Sequence, residues 1–178
     1  MVAVVSNSAG QSDDAGTVDM RTNSDAEVST IWDLLDEVKD PEIPVLSLWD
    51  LGVLRNVEKS LDKIIITITP TYSGCPAMET MRQDIESILT RSGYPNYEIR
   101  TVLSPAWTTD WMSDEGKQKL EQFGIAPPGH TKAETQTVCC PRCRSEDTLL
   151  ISEYGSTACK AMYQCSQCKE AFCYFKVI

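Results

Sequence analysis

With 178 residues and a formal charge of −10, the chain has room for one domain of ordinary size and a small appendage. An acidic balance argues against nucleic acid, whose phosphates need clustered Lys and Arg, and no run approaches the ~20 apolar residues of a membrane span. The apolar stretch Met1 to Val5 ends at Ser6, Asn7 and Ser8 with no basic region before it, so no secretory leader is expected and a reducing, cytoplasmic setting is.

Residues 1–23 are rich in Ser, Asn, Asp and Gly without periodicity and are expected to form a disordered tail. Ser24 and Glu27 match a capping box, and Ile31, Leu34, Leu35 and Val38 then recur at helical spacing. Asp40, held back from helix by Pro41, is expected to stop this first helix. A short strand around Leu54 and Val57 follows. Lys63 to Thr69 then reads as a strand with Ile64, Ile66 and Ile68 on one face. Pro76 opens a second helix, whose buried stripe is Met78, Met81, Ile85, Ile88 and Leu89. Gly93 ends it, Tyr97 to Leu103 reads as a third strand, and Ser113 starts a third helix that Gly124 closes. The pattern predicts an α+β domain of order α-β-β-α-β-α over 24–125, which should fold on its own. A Pro/Thr-rich linker follows at 126–138.

Residues 139–178 are expected to form a second, β domain from three strands, over 148–154, 161–164 and 172–178, with Phe172, Tyr174 and Phe175 as its small core. The segment carries five basic and four acidic residues, so the preceding 138 residues hold a net −11. Two knuckles, Cys140-Pro-Arg-Cys143 and Cys165-Ser-Gln-Cys168, stand 21 residues apart. Four thiolates in two C-x₂-C pairs at this spacing suit one tetrahedral zinc. About 40 residues cannot bury enough apolar surface to fold unaided, and metal–thiolate bonding contributes roughly 10–16 kcal/mol in small zinc domains. A disulfide set, or four unrelated thiols, is the rival reading. A nearly neutral ribbon on an acidic domain points to a protein partner. Cys139, Cys159 and Cys173 are left over. Cys159 is open as an extra ligand for an iron–sulfur cluster or as a free thiol.

Several motifs point to a family. Asp40-Pro41-Glu42, Asp50-Leu51-Gly52 and Thr69-Pro70-Thr71-Tyr72-Ser73-Gly74-Cys75-Pro76 resemble the metal–sulfur cluster assembly domain of the SufT kind. Pro105 to Trp111, Gly124 to Pro128, Gly155 to Ala161 and Phe172 to Lys176 extend the match. Together, from about Ile31 to the C-terminus, they resemble the PaaD family of accessory components in phenylacetyl-CoA epoxidase systems. The resemblance implies an accessory or maturation factor for that multicomponent oxygenase in aerobic phenylacetate breakdown. It implies help in assembling iron–sulfur or di-iron centres, with no intrinsic turnover expected. Components of the epoxidase complex or its reductase would be the partners, and homo-oligomerisation stays open. A non-catalytic zinc-ribbon interaction subunit, a general iron–sulfur assembly factor and an electron-transfer component are the alternatives. A resident di-iron site would need Glu and Glu-x-x-His pairs, and the chain's one histidine, His130, falls in the linker.

Cys75 is the sharpest candidate for chemistry. It stands between Gly74 and the helix-opening Pro76, where the partial positive charge of a helix N-terminus favours thiolate. A thiolate is the form that ligates a transient iron or iron–sulfur cluster; a buried structural cysteine is the other reading. Glu42, with Asp40, is expected to approach it as a ligand or proton handler. Trp107, Asp110 and Trp111 are candidates for the mouth of the same site or for a partner surface, with the two tryptophans as caps on the core the other reading.

Overall fold

The computed structural model describes residues 25–129 and 137–178. The expected tail, the Ser24 cap and His130 lie outside the described residues. Helix α1 runs Ala26–Leu35, capped by Asp25, whose carboxylate accepts the Glu27 N–H at 2.9 Å. It stops short of Asp40 because the chain tightens early. Asp36 caps it, and the Val38 N–H bonds Leu35 O three residues back, at 3.1 Å. Trp32 is as buried as the expected stripe and meets Trp49 edge-on at 5.4 Å.

Strands β1 (Leu54–Ser60) and β2 (Lys63–Ile68) form an antiparallel pair, and β3 (Tyr97–Thr101) adds parallel to β2 through helix α2 (Ala77–Arg91). Ile64, Ile66 and Ile68 face α1 and α2 in one core, as period-two alternation requires. A bulge between Leu54 and Asn56 drops Arg55 from the register and re-aims it over the Trp111 ring, 3.6 Å from its centroid.

Helix α3 (Asp114–Gln122) is capped by the Ser113 hydroxyl, which accepts the Gly116 N–H at 2.8 Å. Asp50 fastens α3 to the loop before β1. Its carboxylate accepts from the Lys119 ammonium at 2.8 Å and from the Ser113 hydroxyl and Ser47 N–H at 3.0 Å. Two glycines make the fit possible. A Cβ on Gly116 would lie 2.7 Å from Asp50 O, and one on Gly52, at φ +71°, would lie 2.5 Å from Trp111 O. The Asp50-Leu51-Gly52 motif is therefore a structural joint.

The second sheet departs from expectation. It has four strands in the order β4-β7-β6-β5, from β4 (Ile125–Ala126), β5 (Thr148–Ser152), β6 (Lys160–Cys165) and β7 (Ala171–Phe175). β4 pairs parallel to β7, Ile125 opposite Cys173. The boundary drawn from sequence at 125/126 thus runs through a strand, one too short to carry a period. β7 also splits its aromatics. Phe172 and Tyr174 face the ribbon's small core, whereas Phe175, 1% exposed, points the other way into the core of the first sheet and its helices. There it packs on Trp107 with ring centroids 6.2 Å apart. Truncating a buried Phe costs about 3–5 kcal/mol, so the first unit does not keep its full core without the ribbon.

Burial works to raise the Asp50 carboxyl, but Lys119, the Ser47 N–H and Ser113 outweigh it, and the net shift is downward. A carboxylate held below its ordinary range stabilises the fold above that range, and the stability is lost as pH falls through the folded value. Asp50→Asn is expected to cost about 2–3 kcal/mol near neutral pH. In urea unfolding the gap between variant and parent should shrink below about pH 4.

Candidate functional site

The ribbon knuckles are local copies of each other. In each, the first cysteine's N–H bonds the carbonyl five residues on: Cys140 to Ser145 at 2.9 Å and Cys165 to Glu170 at 2.8 Å. Its own carbonyl accepts from the residue four on, Arg144 or Lys169. Both of these adopt positive φ, 60° and 63°, which closes the turn. The four sulfurs of Cys140, Cys143, Cys165 and Cys168 lie within 4.8 Å of one another, with Cys140–Cys168 at 3.7 Å and Cys143–Cys165 at 3.5 Å. Four thiolates about 2.3 Å from a tetrahedral ion stand about 3.8 Å apart, so the geometry fits a structural metal. The Cys168 N–H, 3.5 Å from the Cys165 sulfur, leads the contacts that pull the Cys165 thiol down, while the neighbouring ribbon sulfurs help to push Cys143 up.

The second site is a cleft between the two sheets' units, with room of about 20 Å³, enough for a water or an ion. It gathers Asp40, Glu42, Tyr72, Cys75, Thr157 and Cys159, with Phe175 in its wall. The Asp40 carboxylate accepts the N–H groups of Glu42 at 2.6 Å and Ile43 at 2.8 Å, so the Asp-Pro-Glu motif is a pinned turn. Burial raises the Asp40 carboxyl against those same bonds. Glu42 stands at the rim, its Oε2 3.9 Å from the Nζ of Lys160, an ammonium on a residue only 4% exposed. Cys75 is half-buried directly before α2, whose N-cap Pro76 is joined by no side-chain cap. Its carbonyl accepts the Met78 N–H, and its own N–H bonds Tyr72 O at 3.2 Å. Burial, then the neighbouring Cys75 and Cys159 sulfurs, push the Tyr72 phenol up.

Cys75 and Glu42 thus share one cleft. Trp107 is buried behind it, its indole N–H donating to Leu51 O at 3.1 Å. Trp111 belongs elsewhere, in an open groove of about 380 Å³ with Arg55, Asn56, Thr69, Val102 and Pro105. Of the leftover cysteines, Cys139 is exposed, Cys173 packs against the main core with its sulfur 3.5 Å from Met162, and Cys159 enters the cleft. Lys160 and Thr157 were not singled out from sequence. Their signal was the Gly155 to Ala161 motif, whose residues carry no ligand spacing.

Residues 125–176 match the family model of the PaaD zinc beta ribbon domain, and residues 29–101 that of an iron-sulfur cluster assembly protein. A protein of Escherichia coli (strain K12), provisionally named as a component of 1,2-phenylacetyl-CoA epoxidase, is 46% identical over 162 residues. The match covers 89% of this chain and 98% of that one. The crystal structure of a domain of unknown function, DUF59, from Bacillus anthracis aligns with a TM-score of 0.49 at 26% identity, over 52% of this chain and 90% of that one. A conserved hypothetical protein from Thermotoga maritima aligns at 0.45 and 24% identity, over 52% and 91%. No described helix is long and apolar enough to cross a membrane.

Removing one ribbon ligand should release the metal and melt the C-terminal sheet. Because Phe175 goes with that sheet, Cys165→Ser is expected to lower the urea midpoint of the first unit as well. Elemental analysis with two-dimensional NMR checks both. Metal loss with an unchanged first unit would contradict the shared core.

Proposed function

The chain belongs to the PaaD family, and from that premise we propose that it is a cytoplasmic accessory subunit of a phenylacetyl-CoA epoxidase system, assisting assembly of its iron or iron–sulfur centres. The observation that carries the proposal is the cleft that places Cys75 beside Glu42 and Tyr72 at a helix N-terminus. A thiolate there would take an iron ion or cluster as cargo, a soft donor for a thiophilic metal. Glu42, at the rim, would add an oxygen ligand or move the proton that Cys75 gives up. The ribbon metal is proposed to be zinc, one per chain, and structural: all four of its positions are filled by protein thiolates, leaving none for substrate.

A second reading, a zinc-ribbon interaction subunit whose cleft is inert, draws support from β5. Leu149, Leu150 and Ile151 are 61%, 50% and 58% exposed on the free edge of the sheet, and apolar surface of this kind marks contact with protein. The two readings part at Cys75. Cells in which Cys75→Ser replaces the parent chain should grow on general carbon sources and fail on phenylacetate, with fold and ribbon metal intact. Serine keeps the size of the side chain, so soft-ligand chemistry is what is lost. Full growth on phenylacetate would favour the interaction subunit, and failure on all carbon sources a general assembly factor.

A further inference from the structure

We infer that the groove of Arg55 and Trp111 is the seat of a protein partner, which places there an Asp or Glu carboxylate flanked by apolar side chains. The inference rests on the accessory-subunit reading and adds the surface by which the subunit is held; it makes no use of Cys75.

Arg55 is a half-buried cation without a counter-charge. The bulge in β1 turns it onto Trp111, where its guanidinium carbon lies 3.6 Å from the ring centroid. That is too close for an N–H to point into the ring, so the two planes stack and the N–H edge of the fork stays open to a planar anion. Among the described residues no hydrogen bond or ion pair ties that edge to a carboxylate. Arg82, Arg100, Arg142 and Arg144, by contrast, each pair with a glutamate, and Arg91 lies exposed in the last turn of α2. Burial works against the Arg55 charge. The Trp111 face offsets this within the chain, and a carboxylate on the open edge would offset it further. The ring itself is held in place: the Trp111 N–H bonds Thr108 O at 3.0 Å, and its backbone lies against Gly52.

Shape selects the occupant. The groove is open, about 380 Å³, and completed by Asn56, Thr69, Val102 and Pro105. Between Val102 and Pro105, Leu103 is 59% exposed, and Ala106 just beyond is exposed as well. Sites for free small molecules enclose roughly 70–90% of the ligand's surface. An open groove covers one side only, which suits a segment whose other side is covered by its own protein. Trp and Arg in an apolar setting are also the residue types that dominate binding energy between proteins. The guanidinium fork specifies the carboxylate, and the apolar groove wall specifies its flanks. No lining residue is shared with the Cys75 cleft, yet Thr69 lines the groove and Thr71 the cleft. A partner seated in the groove therefore leaves the cleft open and stands beside it.

The probes are the epoxidase complex and its reductase, each presented to the full chain with its ribbon metal bound. The parent should bind one of them, and Arg55→Glu should weaken that binding at least about thirtyfold. Arg91→Glu makes the same charge change on α2 and should bind as the parent does. Arg55→Lys tests the carboxylate directly. In the complex, a carbodiimide should join the amine at position 55 to one Asp or Glu of the partner as an amide, the carbodiimide taking up the water released. Peptide mass spectrometry identifies the pair. Should Arg55→Glu unfold, that coupling decides. Parent-like binding by folded Arg55→Glu, or a bound Arg55→Lys complex that does not couple at position 55, overturns the inference and leaves the subunit reading standing. Benzoate, the probe for a free acid, should bind more weakly than the partner. Tighter binding of benzoate, read from the Trp111 indole resonance, assigns the groove to a small acid and overturns the inference too. Failure of the parent to bind either probe overturns the inference and the subunit reading together.

Discussion

Phe175 enters the core of the first unit from the last strand of the ribbon, and the cleft's geometry depends on that seat. A small metal-bound sheet has little apolar surface of its own, so its position must come from elsewhere. Here one aromatic ring, packed on Trp107 and fully buried, fixes it. The strand that delivers Phe175 is also bonded to β4 on one side and to β6 on the other. Residues at the start of β6 and in the loop before it, Lys160, Cys159 and Thr157, are therefore carried against the loop that holds Asp40 and Glu42. The C-terminus is pinned too, by the Thr109 N–H to Ile178 O at 3.2 Å.

Two sulfur sites of different grade result. In the ribbon, twin knuckle turns bring four thiols to one point, and nothing is left for exchange. In the cleft, the sulfurs come from two separate units and share their space with two carboxylates, a phenol and a buried ammonium. The first site is built to keep a metal; the second is the one for which a transient metal is proposed. Linking them through β7 makes the integrity of the cleft conditional on the ribbon's metal.

Much of this was legible in the sequence because it is local. The knuckles announce themselves by spacing, the helices by their apolar stripes, and Cys75 by its place before Pro76. Features that depend on tertiary pairing were not. β4 is two residues long, below any periodicity. The alternation in β7 shows that Phe175 faces away from Phe172, but not that another core waits on that side. Lys160 sits in a motif without ligand spacing, and only the fold aims its ammonium at Glu42. Asp50 carried a family motif yet serves as a structural joint, since its three partners lie on a distant helix and a neighbouring turn.

The central claim is that the metal-bound ribbon forms one wall of the Cys75 cleft. The most direct measurement is the alkylation rate of Cys75, followed by peptide mass spectrometry, in chain with its ribbon metal intact and after removal by a chelator. If the ribbon is that wall, stripping the metal unseats Phe175 and Cys159, and Cys75 reacts faster. An unchanged rate, with the ribbon unfolded and its metal gone, would contradict it.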